Sequence, residues 1–357
     1  QIRAGWDPGK GEMIIYVDQK DKGAVLLRVN ETKNAGGYSG LDTLQSYGVE
    51  NSADSEVLGR VINTVVQSYP ADSYGMIFFS HASGWLPAGA LNRPRSLVID
   101  DGGGERKEMK YDDFASAIPD KQFDFILFEA CLMADVMSMY ELRNKAEYVL
   151  ASSAEIVSPG FGGSNNLVTE IYKKEIMRLY DTKNDIKSVV SGFAQSYYNY
   201  IALIPENNAY CSTTLSLIKM DEMEALASVT KVALQGMSID KTTLKVDEIQ
   251  RFDRPNKHIY SGYLPHPRYF DLAHTVEKLA LDSHYKDFTG QLDKTVVWKV
   301  ATKRFLLEDY GDGSPNFGEY DGFFIERHSG LTTYINQEDY PELNSIFRGS
   351  SWYKAIY

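Results

Sequence analysis

Two residues that can do chemistry, a histidine and a cysteine, each follow an apolar run. His81 ends the stretch "GMIFFSH", and Cys131 ends the stretch "FDFILFEAC". Near neutral pH an imidazole can accept or release a proton, and a thiolate is a strong nucleophile. The intervening residues 82–130 are enough for one crossover helix and a surface loop that connect two neighbouring strands. The pair therefore predicts nucleophilic catalysis, provided that the two strands lie side by side.

The chemistry depends on how these strand ends are placed. In an open parallel sheet, catalytic groups gather at the carboxyl ends of the strands. An unperturbed thiol, with a pKa of about 8.5, is mostly protonated at neutral pH, but a nearby imidazole and a helix N-terminus favour the thiolate. Cys131 would then attack a carbonyl carbon, with His81 as general base and acid. The backbone N–H groups of Ala82 and Cys131 are the candidates for an oxyanion hole.

Both residue types also have ordinary structural roles. A cysteine at a strand end is most often a small buried side chain, and a lone histidine most often makes a structural hydrogen bond. Cys211, in "NNAYCSTTL", is interpreted as core packing. The remaining histidines show no grouping with acidic residues at ligand spacing, so no metal site is predicted and a zinc hydrolase is disfavoured. They are His258, His266, His274, His284 and His328.

Strand and helix patterns alternate along the first half of the chain. Apolar runs predict strands at 13–18, 23–29, 75–80, 123–128 and 147–153, and several of them are continuous, as expected for strands covered on both faces. Helical patterns are predicted at 55–69, 111–118, 133–146, 166–180, 185–202, 220–236 and 268–282. Later strands are predicted at 212–219, 322–328 and 330–336. The alternation predicts an α/β fold with a mostly parallel sheet flanked by helices.

Composition limits the class of protein. The 357 residues are 43% hydrophobic, which is enough for a large core, and we predict a core at 10–220 with an α/β subdomain at 221–357 packed on it. With a net charge of −12, the chain lacks the excess of basic residues that is typical of nucleic-acid-binding proteins. The chain contains no run of 18 apolar residues, so no membrane-spanning helix is predicted. Because the chain begins at Gln1 without methionine, we expect that an upstream segment was removed or never included.

The segments around both residues resemble the clostripain family of cysteine peptidases, peptidase family C11. The resemblance rests on "SYPADSYGMIFFSHASGW" and "FDFILFEACLMADVMSMYELRNKAEYVLASSAEIVSPGF", with further similarity at "RSLVIDDGG" and "GLTTYINQEDYPELNSIFRGSSWYKAIY". It implies a caspase-like fold with a C-terminal extension, His81 as general base and Cys131 as nucleophile. It also implies protein or peptide substrates, a monomer, and a bacterial protein that is secreted or anchored at the envelope as a lipoprotein.

Two positions depart from the family's pattern. The family usually has glycine after the histidine, but this chain has Ala82, which retains the N–H and disfavours a positive φ. The family's D-A-C-L-M motif has aspartate where this chain has Glu129. A carboxylate there would explain a preference for arginine or lysine before the cut bond, so Glu129 is the predicted substrate-binding residue. The alternative is that Glu129 interacts with the N-terminus of the helix that follows.

The resemblance also suggests self-processing and calcium binding. Family members often cut themselves between the histidine and the cysteine, and here a glycine-rich, charged segment lies at 91–110. An uncut, solvated loop is the alternative. The candidate processing residues are Arg95, Arg106, Lys107 and Lys110. No cofactor is required, and calcium is only a suggestion because the acidic stretches 100–105 and 308–322 lack the spacing of an EF-hand loop.

The preferred interpretation is a cysteine endopeptidase that cleaves after arginine or lysine through an acyl-enzyme on Cys131. An alternative from another class is a catalytically inactive, caspase-like binding protein at the cell surface. It is suggested by Ala82 and Glu129, which depart from the family's pattern. A third interpretation, an α/β binding domain unrelated to proteolysis, requires the placement of His81 and Cys131 to be accidental.

Overall fold

The structure is a computed structural model that describes residues 1–19, 22–87, 98–100, 107–157, 170–180, 185–206, 208, 210–253, 266–305 and 322–357. The strands are β1 (Ile14–Gln19), β2 (Gly23–Lys33), β3 (Ser39–Gly48), β4 (Gly75–Phe79), β5 (Val98–Asp100), β6 (Lys107–Met109), β7 (Phe123–Glu129), β8 (Ala146–Ala151), β9 (Thr214–Lys219), β10 (Phe270–Asp271), β11 (Val296–Ala301), β12 (Arg304–Phe305), β13 (Phe323–Phe324) and β14 (Thr332–Thr333). The helices are α1 (Ile2–Gly5), α2 (Ser55–Ser68), α3 (Tyr111–Ala117), α4 (Val136–Leu142), α5 (Ile171–Glu175), α6 (Ile186–Ile201), α7 (Met223–Leu234), α8 (Leu272–Glu277), α9 (Asp282–Thr295), α10 (Pro341–Gly349) and α11 (Ser351–Ile356).

The central sheet of the described chain has the strand order β11-β9-β8-β7-β4. β4, β7 and β8 run parallel to one another. β9 runs antiparallel to both of its neighbours, β8 and β11. Because β9 alone is reversed within this sheet, the remaining strands share one direction. The predicted α/β fold with a mostly parallel, caspase-like sheet is therefore confirmed.

β7 lies at the centre of the fold because both of its faces are covered. Ile126 and Phe128 pack into one hydrophobic core, where the ring of Phe128 meets that of Phe114 in α3. Phe125 and Leu127 pack into a second core on the opposite face, which includes residues of α6. A strand buried on both faces has no polar side, which explains why its sequence is a continuous apolar run.

Smaller sheets lie outside this centre. β1, β2 and β3 form an antiparallel meander near the N-terminus. β5 and β6 pair as an antiparallel ladder between β4 and α3 in the chain. Two short antiparallel pairs, β10 with β14 and β12 with β13, lie in the C-terminal third.

Some predicted elements have different bounds. The helix predicted at 268–282 is only α8, because Phe270 is in a strand and Asp271 caps the helix by accepting a hydrogen bond from His274 N at 2.9 Å. β3, α9 and β11 were not predicted. β3 is largely exposed, so its sequence lacks the apolar alternation that would mark it.

The C-terminal third contributes directly to the sheet. β11 pairs with β9, and α11 packs on α4 and α7. The division between 10–220 and 221–357 stays a prediction. No helix of the described residues is long and apolar enough to cross a membrane.

Candidate active site

The two strand ends that carry the histidine and the cysteine are neighbours. β4 and β7 pair in parallel with Phe79 beside Glu129. His81 and Cys131 each follow these partners by the same number of residues, so both leave the sheet at the same edge and level. His81 is exposed to solvent, and Cys131 is half-buried. The structure thus brings together the residues predicted to be the base and the nucleophile.

A backbone N–H group points at the sulfur of Cys131. Ile156 N donates a hydrogen bond to Cys131 Sγ at 3.3 Å. Ile156 lies in the segment that follows β8, and the same segment accepts a hydrogen bond from Leu132 N at Ala154 O, at 2.9 Å. The Cys131 thiol also donates to Ile156 O at 4.0 Å, so both polar backbone groups of Ile156 contact the sulfur. Sequence analysis missed Ile156, whose only signal was its place after a parallel strand.

The helix after Cys131 begins later than predicted. A helix was predicted at 133–146, but α4 starts at Val136 because Asp135 is its N-cap. Asp135 Oδ1 accepts hydrogen bonds from Met137 N at 3.0 Å and from Ser138 N at 2.9 Å. Cys131 therefore lies four residues before the N-cap of α4 and not directly at the start of the helix.

Ala82 fits its loop without backbone strain. The positive φ in this loop, 53°, is at Gly84, and Ala82 is not among the residues with a positive φ. Ala82 is 1% exposed, so its methyl group packs in the core. In this chain the backbone at Ala82 therefore does not require glycine. The role of the Ala82 and Cys131 N–H groups as an oxyanion hole stays a prediction.

The carboxylate of Glu129 is buried at the end of β7. Its side chain is 4% exposed, and the Tyr172 hydroxyl donates a hydrogen bond to Oε2 at 2.5 Å. Burial first, and the charge of Glu129 second, raise the pKa of both Tyr172 and Tyr197 above the ordinary value. The side chain that caps α4 is that of Asp135, and the alternative role of Glu129 at that helix end stays a prediction. Tyr172, on the helix predicted at 166–180, had no signal in the sequence.

The candidate processing residues divide into two groups. Lys107 lies in β6, paired with Asp100, and Lys110 precedes α3, where its carbonyl accepts a hydrogen bond from Phe114 N at 2.9 Å. Both are therefore in or beside regular structure rather than in an open loop. Arg95 and Arg106 lie outside the described residues.

Metal binding has no candidate in the described part of the chain. There, no group of three or more His, Cys, Asp or Glu side chains could hold a metal ion. Nearly all of the acidic stretches 100–105 and 308–322 lies outside the described residues, so the suggestion of calcium remains untested.

Fold and site together define a class of protein. A mostly parallel α/β sheet, with a histidine and a cysteine at the ends of adjacent strands, is the arrangement of caspase-like cysteine peptidases. The sequence profile of the clostripain family, peptidase family C11, matches residues 5–356. The chain therefore belongs to the clostripain family and is a cysteine peptidase, as the resemblance predicted.

Solved structures agree with this assignment. An inactive zymogen C11 protease from Parabacteroides distasonis is 26% identical, with a TM-score of 0.77, and the match covers 100% of this chain and 91% of that one. A secreted C11 cysteine protease from Bacteroides thetaiotaomicron, in complex with an irreversible peptide inhibitor, is 26% identical with a TM-score of 0.77. That match covers 99% of this chain and 92% of the other. No curated protein matches the chain.

Proposed function

We propose that the chain is an endopeptidase that cuts after arginine or lysine, with Cys131 as nucleophile and His81 as general base and acid. The observation that carries the proposal is the parallel pairing of β4 and β7, with Phe79 beside Glu129. This register supports the joint action of His81 and Cys131 on one substrate bond.

The reaction passes through a thioester. The thiolate of Cys131 attacks the scissile carbonyl carbon, and the N–H groups of Ala82 and Cys131 stabilise the oxyanion that forms. When the tetrahedral intermediate collapses, the C–N bond breaks and His81 gives its proton to the leaving amine. Water, deprotonated by His81, then attacks the thioester and releases the carboxylic product and the thiolate. The hydrogen bond from Ile156 N to Cys131 Sγ orients the sulfur before attack.

Glu129 is the proposed partner of the basic side chain before the cut bond. It precedes Cys131 by two residues, and its burial would exclude water from an ion pair with substrate. A charge-assisted hydrogen bond in such surroundings is about twice as strong as a neutral one. Because Tyr172 donates to Oε2, a lysine or arginine side chain would share the carboxylate with this hydroxyl.

Self-processing and location are further parts of the proposal. One structural relative is described as a zymogen and another as secreted. We infer cleavage of this chain after Arg95 or Arg106 in preference to Lys107 or Lys110, since the latter two are in or beside regular structure. We also infer a monomer that is secreted or held at a bacterial envelope, and activity that calcium can raise.

The test uses the two cysteines as a matched pair. Turnover of fluorogenic peptides ending in arginine or lysine is measured for wild type, Cys131→Ala and Cys211→Ala, with intact mass to detect cleavage of the chain itself. Cys211 is 8% exposed, and burial raises the pKa of its thiol, so we expect Cys211→Ala to keep full activity. We expect Cys131→Ala to lose turnover and self-cleavage together.

Two results would overturn the proposal. One is turnover that survives in Cys131→Ala. The other is a wild type that stays inactive on every peptide after limited trypsin treatment and with added calcium, which would favour the inactive cell-surface binding protein.

A further inference from the structure

Two buried segments follow the base and the nucleophile. They are residues 82–86, here called the histidine loop, and residues 132–135, the cysteine loop. The Tyr269 hydroxyl donates a hydrogen bond to Ser83 O and so fixes the histidine loop to the C-terminal part of the chain. Any group between the two loops influences how the base and the nucleophile are spaced.

The loops touch at Gly84. A Cβ atom at this position would lie 2.5 Å from Leu132 O and 2.7 Å from Asp135 Oδ2. Both distances are too short for a real side chain, and the φ of 53° also favours glycine. The backbone of the histidine loop is therefore seated directly against a carbonyl and a carboxyl group of the cysteine loop.

Only one of the two carboxyl oxygens of Asp135 takes part in capping α4. Oδ1 accepts the hydrogen bonds from Met137 N and Ser138 N. Oδ2 is fully buried and accepts no backbone N–H among the described residues, and the polar group beside this carboxyl is the Ser138 side chain, which opposes the rise that burial causes in its pKa. A serine caps a helix as well as aspartate does, without a second buried oxygen, and an unpaired buried oxygen destabilises the fold. Capping alone does not explain why the residue is aspartate.

We propose that Asp135 is a positioning residue whose second oxygen, buried against Gly84, holds the histidine loop on the cysteine loop and sets the spacing of His81 and Cys131. The proposal rests on the proposed function, because it assumes that these two residues act together. A displacement of 1 Å in a catalytic site costs about 100-fold in rate, so one misplaced contact is enough to matter.

The contact depends on protonation. Burial raises the pKa of Asp135 to about 7, so the carboxyl group is partly protonated near neutral pH. A protonated Oδ2 can donate a hydrogen bond to a carbonyl oxygen of the histidine loop, which Gly84 brings against it. An ionised Oδ2 cannot donate and is repelled by carbonyl oxygens. The loops are therefore held most firmly below the pKa of Asp135 and loosen as the pH rises through about 7.

Few other groups near Asp135 change charge in this range. Tyr111 in α3 and Tyr269 both feel the charge of Asp135, and burial raises their pKa values far above neutral pH. Asp271 lies on β10, which pairs with β14, and burial raises its pKa while backbone N–H groups oppose the rise. Arg268, next to Tyr269 in the chain, forms an ion pair with Asp253 at 2.8 Å.

The test compares two substitutions of Asp135 in the full-length chain. Asp135→Asn keeps the capping oxygen and places a permanent donor where Oδ2 stands. Asp135→Ser keeps the cap and removes the second group. Asp54→Ser is the matched control, because Asp54 caps α2 by accepting from Glu56 N at 2.8 Å, outside both loops.

Two readouts are taken from pH 6 to pH 9, with melting temperatures beside them. One is kcat and KM on the best peptide. The other is the rate of alkylation of Cys131 by iodoacetamide in a Cys211→Ala background, which needs no turnover.

We expect Asp135→Asn to have the same kcat as wild type at pH 6. At pH 8.5 we expect its kcat to be roughly 3- to 10-fold higher, because the wild type then loses part of the roughly 100-fold that full misplacement would cost. We expect Asp135→Ser to lose about 10-fold in kcat at every pH with KM within about 2-fold. Alkylation should follow the same order, and Asp54→Ser should match wild type.

The outcomes separate this inference from the peptidase proposal. Alkylation rates that differ among the Asp135 variants support the positioning role even if no peptide is cleaved. Superimposed alkylation and kcat profiles for wild type and Asp135→Asn would overturn it even if the enzyme is active. If Asp135→Ser does not fold, the Asp135→Asn profile decides the question alone.

Discussion

At the scale of single residues, Glu129 is the proposed partner of a basic substrate side chain. We expect Glu129→Gln to lower kcat/KM for arginine and lysine peptides by about 10- to 100-fold, because a hydrogen bond to a charged group contributes roughly 1.5–3 kcal/mol. Glutamine keeps the length of the side chain and an acceptor for Tyr172, which donates to Oε2 in the wild type. The measurement is kcat/KM on matched peptides with arginine, lysine or norleucine before the cut bond.

The norleucine peptide is the internal control, since it keeps the length of lysine without the charge. Equal losses on all three peptides would mean that Glu129 supports the strand end and not the substrate.

At the scale of elements, the short helix α1 is packed on α5, which carries Tyr172. The two helices touch at Gly5, where a Cβ atom would clash with the Tyr172 carbonyl oxygen and lie 2.7 Å from Lys173 O. We expect Gly5→Ala to destabilise the fold by about 1–3 kcal/mol, the usual cost of overpacking. The measurement is the midpoint of urea unfolding.

Gly290 offers a matched control within a helix. It lies inside α9, and nothing lies within 4 Å of where its Cβ atom would be. Gly290→Ala should stabilise the protein by up to about 1 kcal/mol, because alanine is the better helix former. If Gly5→Ala also stabilised the protein, the close packing of α1 on α5 would be wrong.

At the scale of the whole molecule, buried ionisable groups shape the response to pH. His328, in the C-terminal third, lies near Ser153 after β8 and Ser216 in β9, with Nε2 at 3.3 Å and 3.5 Å from their hydroxyl oxygens. Burial first, and the charge of Lys299 second, lower the pKa of His328 to about 3. The imidazole is therefore neutral in the folded protein over most of the acid range.

The sign of the effect follows from where the proton binds. Below about pH 6.5 the unfolded chain protonates this histidine and the folded protein does not, so acid favours unfolding. We expect wild type to lose roughly 2–4 kcal/mol of stability from this residue between pH 6.5 and pH 3, and His328→Gln to lose correspondingly less. The measurement is the free energy of unfolding in urea at several pH values for both proteins.

His284→Gln is the control for that series, since its ring bonds to Gln235 Nε2 at the surface. An unchanged slope of stability against pH in His328→Gln would contradict the prediction. Asp135 acts in the opposite direction, because its raised pKa makes the folded protein lose stability as the pH rises from about 4 to about 7.

From the sequence alone we predicted the α/β fold, the family and the adjacent strand ends that carry His81 and Cys131. These features depend on local signals, namely apolar runs, the order of elements and the residues that follow strand ends. A parallel pair of strands then brings the two ends together with no further information.

The surroundings of these residues depend on the tertiary structure. The Ile156 N–H at the sulfur, the Tyr172 hydroxyl on Glu129 and the contact of Gly84 with Asp135 each join segments that are distant in the chain. A backbone N–H leaves no mark in the sequence, and burial of a carboxyl group depends on every element packed around it. For that reason the sequence indicated the candidate reacting groups, and the fold set their contacts and their burial.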